Sequence, residues 1–377
     1  MSEDAQAHTL LCVTGLTPQV VTETLYALAQ EGADALPDRI EVITTTEGRR
    51  RLALTLLAEH GGHGYLDRLC TDYGIERSAL AFDASAIHVV HGADGEPLAD
   101  IVTEADNAAA ADWIHERIRT LTQQSARLHV SLAGGRKTMG FYAGYSLSLY
   151  GRGQDRLSHV LVNPPFESHP DFFYPPPEPV TLQLPGRNDI ISTAEAQVRL
   201  ADLPFVRLRE ELGDALPEPG LSFSEAVERA QQVLVPAQLT LDLTERTATL
   251  QGRTITLSPT HFLWLTWFAD RARRGEPPLA FDHAAADELA RYIDWLEGRA
   301  SRLHESLAGA RQDLERGETR SNYFDSTRSR LNRDLAERSG LPARVAARYQ
   351  VQACSSRPQT TYALPLAPEQ IRIEGEP

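Results

Sequence analysis

The first 165 residues alternate short apolar runs with longer stretches in which apolar residues recur every three or four positions. The short runs fit buried strands at 9–13, 40–44, 87–90, 128–132 and 159–162. The longer stretches fit amphipathic helices at 19–31, around Leu52–Leu57, at about 103–122 and at 138–150. Strands separated by helices predict a Rossmann-like, mostly parallel sheet with helices on both faces. We therefore expect an α/β ligand-binding domain over residues 1–165.

Proline becomes dense after this region, from Pro164 to Pro185. Such density predicts an ordered or semi-rigid connector. Further along, Ser224–Val233 has helical periodicity. We expect residues 166–238 to form this connector and a helical segment that completes the first domain.

Short alternating segments then predict a small sheet, at Thr240–Leu243, Thr247–Leu250 and Thr254–Leu257. Ser258 lies where it can cap an aromatic-rich helix, His261–Arg271. The order is therefore a small sheet followed by a capped helix.

A basic amphipathic helix, Asp325–Ser339, and a hairpin, Tyr349–Leu364, follow later in the chain. Helix followed by hairpin is the layout of a winged helix. We expect an α+β winged-helix-like domain over residues 239–377, with a helical insertion at about 276–320.

Composition and charge restrict the class of protein. No apolar run reaches the roughly 18 residues of a membrane span, and the acidic start of the chain does not resemble a signal peptide, so we expect a cytoplasmic protein with no membrane partner. The three cysteines lie far apart, and no zinc or carboxylate pattern predicts a metal or another cofactor. A formal net charge of −15 argues against general coating of nucleic acid, so an anionic ligand needs a local basic site.

One segment has the features of such a site. Gly134, Gly135, Arg136, Lys137 and Thr138 lie where an apolar strand ends and a helix begins. Glycine allows close approach of the backbone to a phosphate, and the first N–H groups of a helix have no partner inside it. The alternative is a tight turn that carries two solvated cations.

Polar loops follow two other strands of the predicted sheet, and parallel strands bring such loops to one edge. The candidate ligand-binding residues in these loops are Thr14, Gly15, Leu16, Thr17, Gln19, Thr45, Thr46 and Glu47, with Asn163 at the rim. The first loop is equally well explained as a helix cap, and Glu47 as a partner of the helix dipole.

The C-terminal region offers two further candidate sites. Arg328, Arg330 and Arg333 on the basic helix are possible DNA contacts, or a solvated face balanced by nearby carboxylates. Arg299 and His304 have a spacing that some RNases use at a phosphodiester, and that also arises by chance in an arginine-rich helix.

Three separated motifs resemble a known family. Residues 11–25 (LCVTGLTPQVVTETL), 43–48 (ITTTEG) and 131–139 (SLAGGRKTM) are similar to the CRISPR-associated Rossmann fold (CARF) proteins, in particular the ring nuclease branch. The similarity covers about residues 8–210. The region 239–366 resembles the winged-helix domains of response regulators.

The resemblance implies a homodimer that binds cyclic oligoadenylate, most often the tetra-adenylate ring, and cleaves it without metal to products with a 2′,3′-cyclic phosphate. Carried over by motif, Lys137 is the strand-end lysine and Thr14–Thr17 is the hydroxyl-bearing loop. We expect Lys137, Thr14 and Thr17 to be catalytic. Two alternatives stay open: a cyclic-oligoadenylate sensor that regulates transcription through DNA, and a ligand-activated RNase that uses Arg299 and His304.

Overall fold

The structure, a computed structural model, describes residues 7–57, 63–213, 219–298, 307–308, 311–312, 320–355 and 360–375. The chain divides into two compact units. The first contains residues up to Leu212 and the segment Leu216–Val227, and the second contains Gly213–Ala215 and Glu228–Pro377.

A six-stranded sheet forms the centre of the first unit. The strands of this unit are β1 His8–Val13, β2 Arg39–Thr44, β3 Ile87–Val89, β4 Arg127–Ser131, β5 Arg156–Val162, β6 Thr181–Gln183, β7 Ile190–Ser192 and β8 Val198–Asp202. Their order in the sheet is β3-β2-β1-β4-β5-β8, and β6 pairs with β7 separately. Every pairing in the large sheet is parallel except β5 with β8. The predicted Rossmann-like α/β fold is therefore confirmed.

Helices cover both faces of this sheet. The helices of this unit are α1 Gln19–Glu31, α2 Thr46–Thr55, α3 Tyr65–Asp72, α4 Glu104–Gln124, α5 Lys137–Tyr150 and α6 Arg209–Leu212, and α7 Phe223–Leu234 runs on into the second unit. Successive strand residues point to opposite faces. Leu10 and Cys12 accordingly pack in one core with α1, α2 and α3. Leu11 and Val13 pack in the other core with α4 and α5.

The proline-rich region contains strands that the sequence pattern did not predict. The β6–β7 hairpin lies there, and β8 lies at the edge of the large sheet beside β5. The residues of β8 are only half-buried or exposed, so their sequence lacks the continuous apolar run that marks β1. An edge strand is paired and covered on fewer sides, which explains why its pattern was missed.

The second unit combines two small sheets with helices. Its elements are β9 Leu239–Asp242, β10 Thr247–Leu250, β11 Arg253–Thr256, α8 Pro259–Arg273, β12 Leu279–Ala280, α9 His283–Glu297, α10 Arg320–Ser339, α11 Ala343–Ala346, β13 Gln352–Ala353, β14 Thr361–Ala363 and β15 Ile371–Glu374. The sheet orders are β11-β10-β9-β15 and β12-β14-β13. Trp264, Trp267 and Phe324 are buried at its centre, with the rings of Trp264 and Phe324 5.2 Å apart.

The small sheet, the capped helix α8 and the β13–β14 hairpin lie where the sequence predicts them. Strand β15 was not predicted, and it pairs in parallel with β9 from the far end of the chain. Helix α9 lies in the expected insertion, most of whose other residues fall outside the described ranges. The winged-helix assignment stays a prediction.

Candidate ligand-binding site

The strand order reverses direction at β1, because β2 and β3 lie on one side of it and β4 and β5 on the other. At such a switch point the loops that follow the two central strands diverge and leave a crevice at the carboxyl edge. The loop Thr14–Pro18 follows β1, and the loop Leu132–Arg136 follows β4. The fold therefore places the glycine-lysine motif at the position where open α/β sheets bind ligands.

Glycines allow these two loops to touch through their backbones. A β-carbon built on Gly15 would lie 3.1 Å from the Cα of Gly135. One built on Gly134 would lie 2.6 Å from the Thr14 hydroxyl and 3.0 Å from its Cα. Gly135 also has a φ of +80°, a conformation that side chains disfavour. The three glycines are thus required by close approach and, at Gly135, by backbone conformation.

The loop after β2 joins this contact. A β-carbon on Gly48 would lie 2.4 Å from the Gly15 carbonyl oxygen, and the Thr44 hydroxyl lies 3.4 Å from the same oxygen. Arg51 of α2 also donates from Nη1 to the Leu16 carbonyl at 3.2 Å. The three loops predicted at one edge of the sheet therefore lie against one another.

Lys137 is the first residue of α5 and is exposed to solvent. Within the part of the chain that the structure describes, its side chain has no hydrogen bond or ion pair, and the first turn of α5 contains no acidic residue. Lys137 is also the only lysine of the chain. Every other residue among the 37 lysine and arginine residues is arginine. The free ammonium and the unpaired helix N–H groups place positive potential at the crevice.

Arg136, in contrast, is not a free cation. Its guanidinium binds both carboxylate oxygens of Asp100, with Nε 3.1 Å from Oδ1. The guanidinium hydrogen bond holds the pKa of Asp100 below its ordinary value, so the pair is ionised at neutral pH. The Arg136 charge that we expected at the anion site is thus balanced by Asp100, 36 residues away, and contact between Arg136 and a ligand stays a prediction.

The threonines of the first loop differ in their availability. Thr14 is buried, and its hydroxyl donates to the Thr17 carbonyl at 2.9 Å. This bond fixes the loop. It also uses the hydroxyl hydrogen that we expected Thr14 to donate to a ligand. Thr17 and Thr138 are exposed, as is half of Leu16, so of the two predicted catalytic threonines Thr17 has the accessible hydroxyl.

The candidates of the second loop serve the local structure. Thr45 caps α2 by accepting from the Gly48 N–H at 3.4 Å, and the Thr46 hydroxyl donates to the Leu98 carbonyl at 3.0 Å. Hydrogen bonds from Arg50 and Arg51 lower the pKa of Glu47 to about 2. Glu47 therefore fits the helix-end alternative rather than ligand contact.

Asn163 is also committed to the fold. Its amide donates to the Glu195 carbonyl at 3.1 Å, and its Oδ1 accepts from the Gln197 N–H at 2.6 Å. These bonds hold the end of β5 to the segment that leads into β8, so both ends of the side chain are used for structure.

Sequence reasoning missed other polar residues at this edge. Arg49 and Arg51 are exposed at the start of α2, and the arginine run directly after Gly48 was the available signal. Glu23 of α1, which was also missed, lines a cleft of about 390 Å³ beside the first loop, together with the predicted candidate Gln19. Gln19 donates from Nε2 to the Pro170 carbonyl at 3.0 Å, while its Oε1 is buried without a donor. For Glu23 a single-sequence pattern gives no signal, because its burial depends on the neighbouring strands.

The basic helix α10 of the second unit presents two free cations. Arg330 and Arg333 are exposed, and neither has a hydrogen bond or ion pair among the described residues. Arg328 instead lies over the ring of Tyr362 at 4.9 Å, so it is partly used in packing. Arg299 and His304 lie outside the described residues.

One family model matches a large part of the chain. The family model described as CRISPR-associated protein NE0113 (Cas_NE0113) matches residues 17–236, more than half of the 377-residue chain. The chain belongs to the CRISPR-associated NE0113 family. A search of curated proteins found no match. The CRISPR association that the three motifs predict is thereby confirmed at the level of this family.

Two kinds of feature are absent from the described ranges of this NE0113-family chain: a metal-binding cluster and a membrane-spanning helix. In the described ranges, no group of three or more histidine, cysteine, aspartate or glutamate residues is arranged to hold a metal ion. None of the helices described here combines the length and the apolar character that crossing a membrane requires.

Proposed function

We propose that this CRISPR-associated protein is a ring nuclease of the CARF type, a homodimer that binds cyclic oligoadenylate across its two-fold axis. The ligand of choice is cyclic tetra-adenylate. Cleavage of the ring removes a second messenger and switches off type III CRISPR signalling. The observation that carries this proposal is Lys137, the only lysine of the chain, unpaired at the start of α5 and beside the Gly15–Gly135 contact.

The chemistry fits the groups at this edge. A ribose 2′-hydroxyl attacks the adjacent 3′-phosphate, the P–O5′ bond breaks, and the products end in a 2′,3′-cyclic phosphate. In-line positioning by the loops supplies much of the acceleration. Lys137 and the first backbone N–H groups of α5 stabilise the charge that develops on the phosphate oxygens. The accessible hydroxyl of Thr17 is placed to hold a phosphate or ribose oxygen. A site without a strong general base gives slow turnover.

The test is ring opening in the presence of EDTA. The unmodified protein should convert cyclic tetra-adenylate to linear products with a 2′,3′-cyclic phosphate, and Lys137→Ala should lose this activity by at least about 100-fold. Arg187→Ala is a matched control, because it removes one exposed cation from the turn between β6 and β7. Tight binding of a ring that stays intact would favour a sensor over a nuclease.

A second function, transcriptional regulation through DNA, is supported by Arg330 and Arg333, which are free on α10. If they contact phosphates, duplex affinity should fall with rising salt, and the Arg330→Ala/Arg333→Ala variant should reduce that salt dependence. Equal, salt-independent binding by both proteins would reject this function.

A further inference from the structure

A cleft at the carboxyl edge of the first sheet adjoins the phosphate site described above. It has a volume of about 390 Å³, within the range of roughly 300–1,000 Å³ usual for small-molecule pockets. It is lined by the start of α1, the loop after β4, the end of β5 and the turn that follows: Thr17, Gln19, Val20, Glu23, Ala133, His159–Val162 and Glu167–His169. Because Thr17 belongs to both, the cleft is continuous with the loop cluster.

Glu23 is the unusual residue of this cleft. Its side chain is only 5% exposed, and it forms no hydrogen bond or ion pair with any described residue. Gln19 lies one helical turn before it on the same face of α1, and Oε1 of Gln19 is also buried without a donor. Unpartnered buried polar groups are costly and rare in folded proteins. Glu23 therefore presents an unpartnered carboxyl group to the cleft, where a ligand can supply the missing partner.

Among the described residues, no cation lies close enough to Glu23 to favour its ionised form. On β5, His159 lines the same cleft, and on β8 Arg199 is exposed and donates to Gln197 at 3.1 Å. On α3, Asp72 accepts from the Tyr174 hydroxyl at 2.8 Å.

The turn after β5 supplies two more titratable groups. Glu167 is exposed at the rim of the cleft. His169 accepts at Nδ1 from the Asp171 N–H at 3.2 Å, and its Nε2 lies 3.0 Å from the Gln183 carbonyl oxygen, so both ring nitrogens are used by the fold. Burial, with no opposing charge, raises the pKa of Glu23 to about 8.

A protonated carboxyl group presents one O–H donor next to one carbonyl acceptor. The Watson–Crick edge of adenine presents the complement, an acceptor at N1 next to the 6-amino donor. Val20 and Ala133 supply apolar surface for the faces of the base.

We infer that Glu23, kept as a neutral acid, is the residue that reads adenine in this cleft, pairing its O–H with N1 and its carbonyl with the 6-amino group. This inference rests on the proposed function, because cyclic oligoadenylate is the ligand that brings adenine to the site. It adds a specificity-determining residue in α1 to a phosphate site built by the loops. Glu23 acts in recognition of the base, away from the reacting phosphate.

The test is the affinity for cyclic tetra-adenylate, measured by titration calorimetry at pH 7 and pH 9. Only the protonated fraction binds adenine, so the unmodified protein should weaken by roughly tenfold between the two pH values. Glu23→Gln presents the same donor and acceptor without titrating, so its affinity should be unchanged between pH 7 and pH 9. Glu23→Leu should weaken binding by about 10- to 100-fold at pH 7. Glu178→Gln, at an exposed carboxylate outside the lining of the cleft, is the matched control and should keep the pH dependence of the unmodified protein.

A modified ring separates base reading from a structural role. The unmodified protein should bind a ring built with 1-deazaadenine, which lacks the N1 acceptor, more weakly than it binds cyclic tetra-adenylate. Glu23→Leu has already lost the contact with N1, so it should bind the two rings equally. If Glu23→Leu bound the ring with the affinity and the pH profile of the unmodified protein, the inference would be overturned and the proposed function would stand. A protein that binds no ring at all would overturn both.

Discussion

Gly15 and Gly135 meet backbone to backbone at the switch point of the sheet: a β-carbon on Gly15 would lie 3.1 Å from the Cα of Gly135. The contact joins the loops after β1 and β4, two strands that pair in parallel although more than 100 residues separate them along the chain. It holds in place the carboxyl edge of the sheet, where Lys137 lies. Several consequences of this arrangement are open to measurement.

Gly134→Ala should disturb this contact. Its β-carbon would lie 2.6 Å from the Thr14 hydroxyl and 3.0 Å from the Thr14 Cα, so the first loop must move. We expect a loss of about 1–3 kcal/mol in the free energy of unfolding and weaker ring binding. Gly140→Ala is the control, because a β-carbon there has nothing within 4 Å, and it should stabilise α5 by about 0.5–1 kcal/mol. Urea unfolding measures both, and equal stabilities of the two variants would contradict the close contact.

Lys137 should be the only ε-amine available to amine-selective reagents, since the chain contains no other lysine. Acetylation removes its charge, so ring opening should fall in step with modification of Lys137. Bound cyclic tetra-adenylate should protect the same residue, which intact-mass and peptide mass spectrometry detect. Full activity after complete acetylation at Lys137 would show that the ammonium is not needed.

Asp100→Asn should release Arg136 toward the crevice. The substitution keeps an oxygen that can accept from the Ile101 N–H, as Asp100 Oδ1 does at 2.8 Å, but removes the charge that pairs with Arg136. Affinity for the anionic ring should rise by roughly three- to tenfold at low salt, and the gain should shrink as salt screens it. The free energy of unfolding should change little, because both partners are about half exposed. A weaker affinity for the ring would place Arg136 outside the site.

The stability of the fold should depend on pH through Glu23. Its pKa is raised from 4.5 to about 8 in the folded chain, so between these values the folded state binds one proton more than the unfolded state. Stability therefore falls as pH rises from about 4.5 to 8 and levels off above that. Glu23→Gln lacks this slope, and its advantage over the unmodified protein should grow to about 3–5 kcal/mol by pH 8. Urea unfolding from pH 5 to pH 9 measures the difference, and parallel curves for the two proteins would exclude a buried, neutral Glu23.

Much of the first unit could be predicted from the sequence because its strands are buried on both faces. Residues of β1 are buried throughout, so hydrophobicity alone marks the strand, and the helices around it repeat at their own period. Edge strands such as β8, and β15 with its partner β9 far away in the chain, carry no comparable local signal. Their identity as strands depends on pairing with distant residues.

The same division applies to the site. From the sequence alone follow the Rossmann-like order of elements, the three loops at one edge, and a lysine next to the start of the helix that follows β4. Only the tertiary structure decided which polar groups stay free: Asp100 neutralises Arg136, the Thr17 carbonyl accepts from the Thr14 hydroxyl, and the segment before β8 occupies Asn163. It also decided that Glu23, an ordinary polar residue of an amphipathic helix, is buried without a partner. The physical reason is range: periodicity and chain order act between near neighbours, whereas burial and the pairing of polar groups depend on residues brought together by packing.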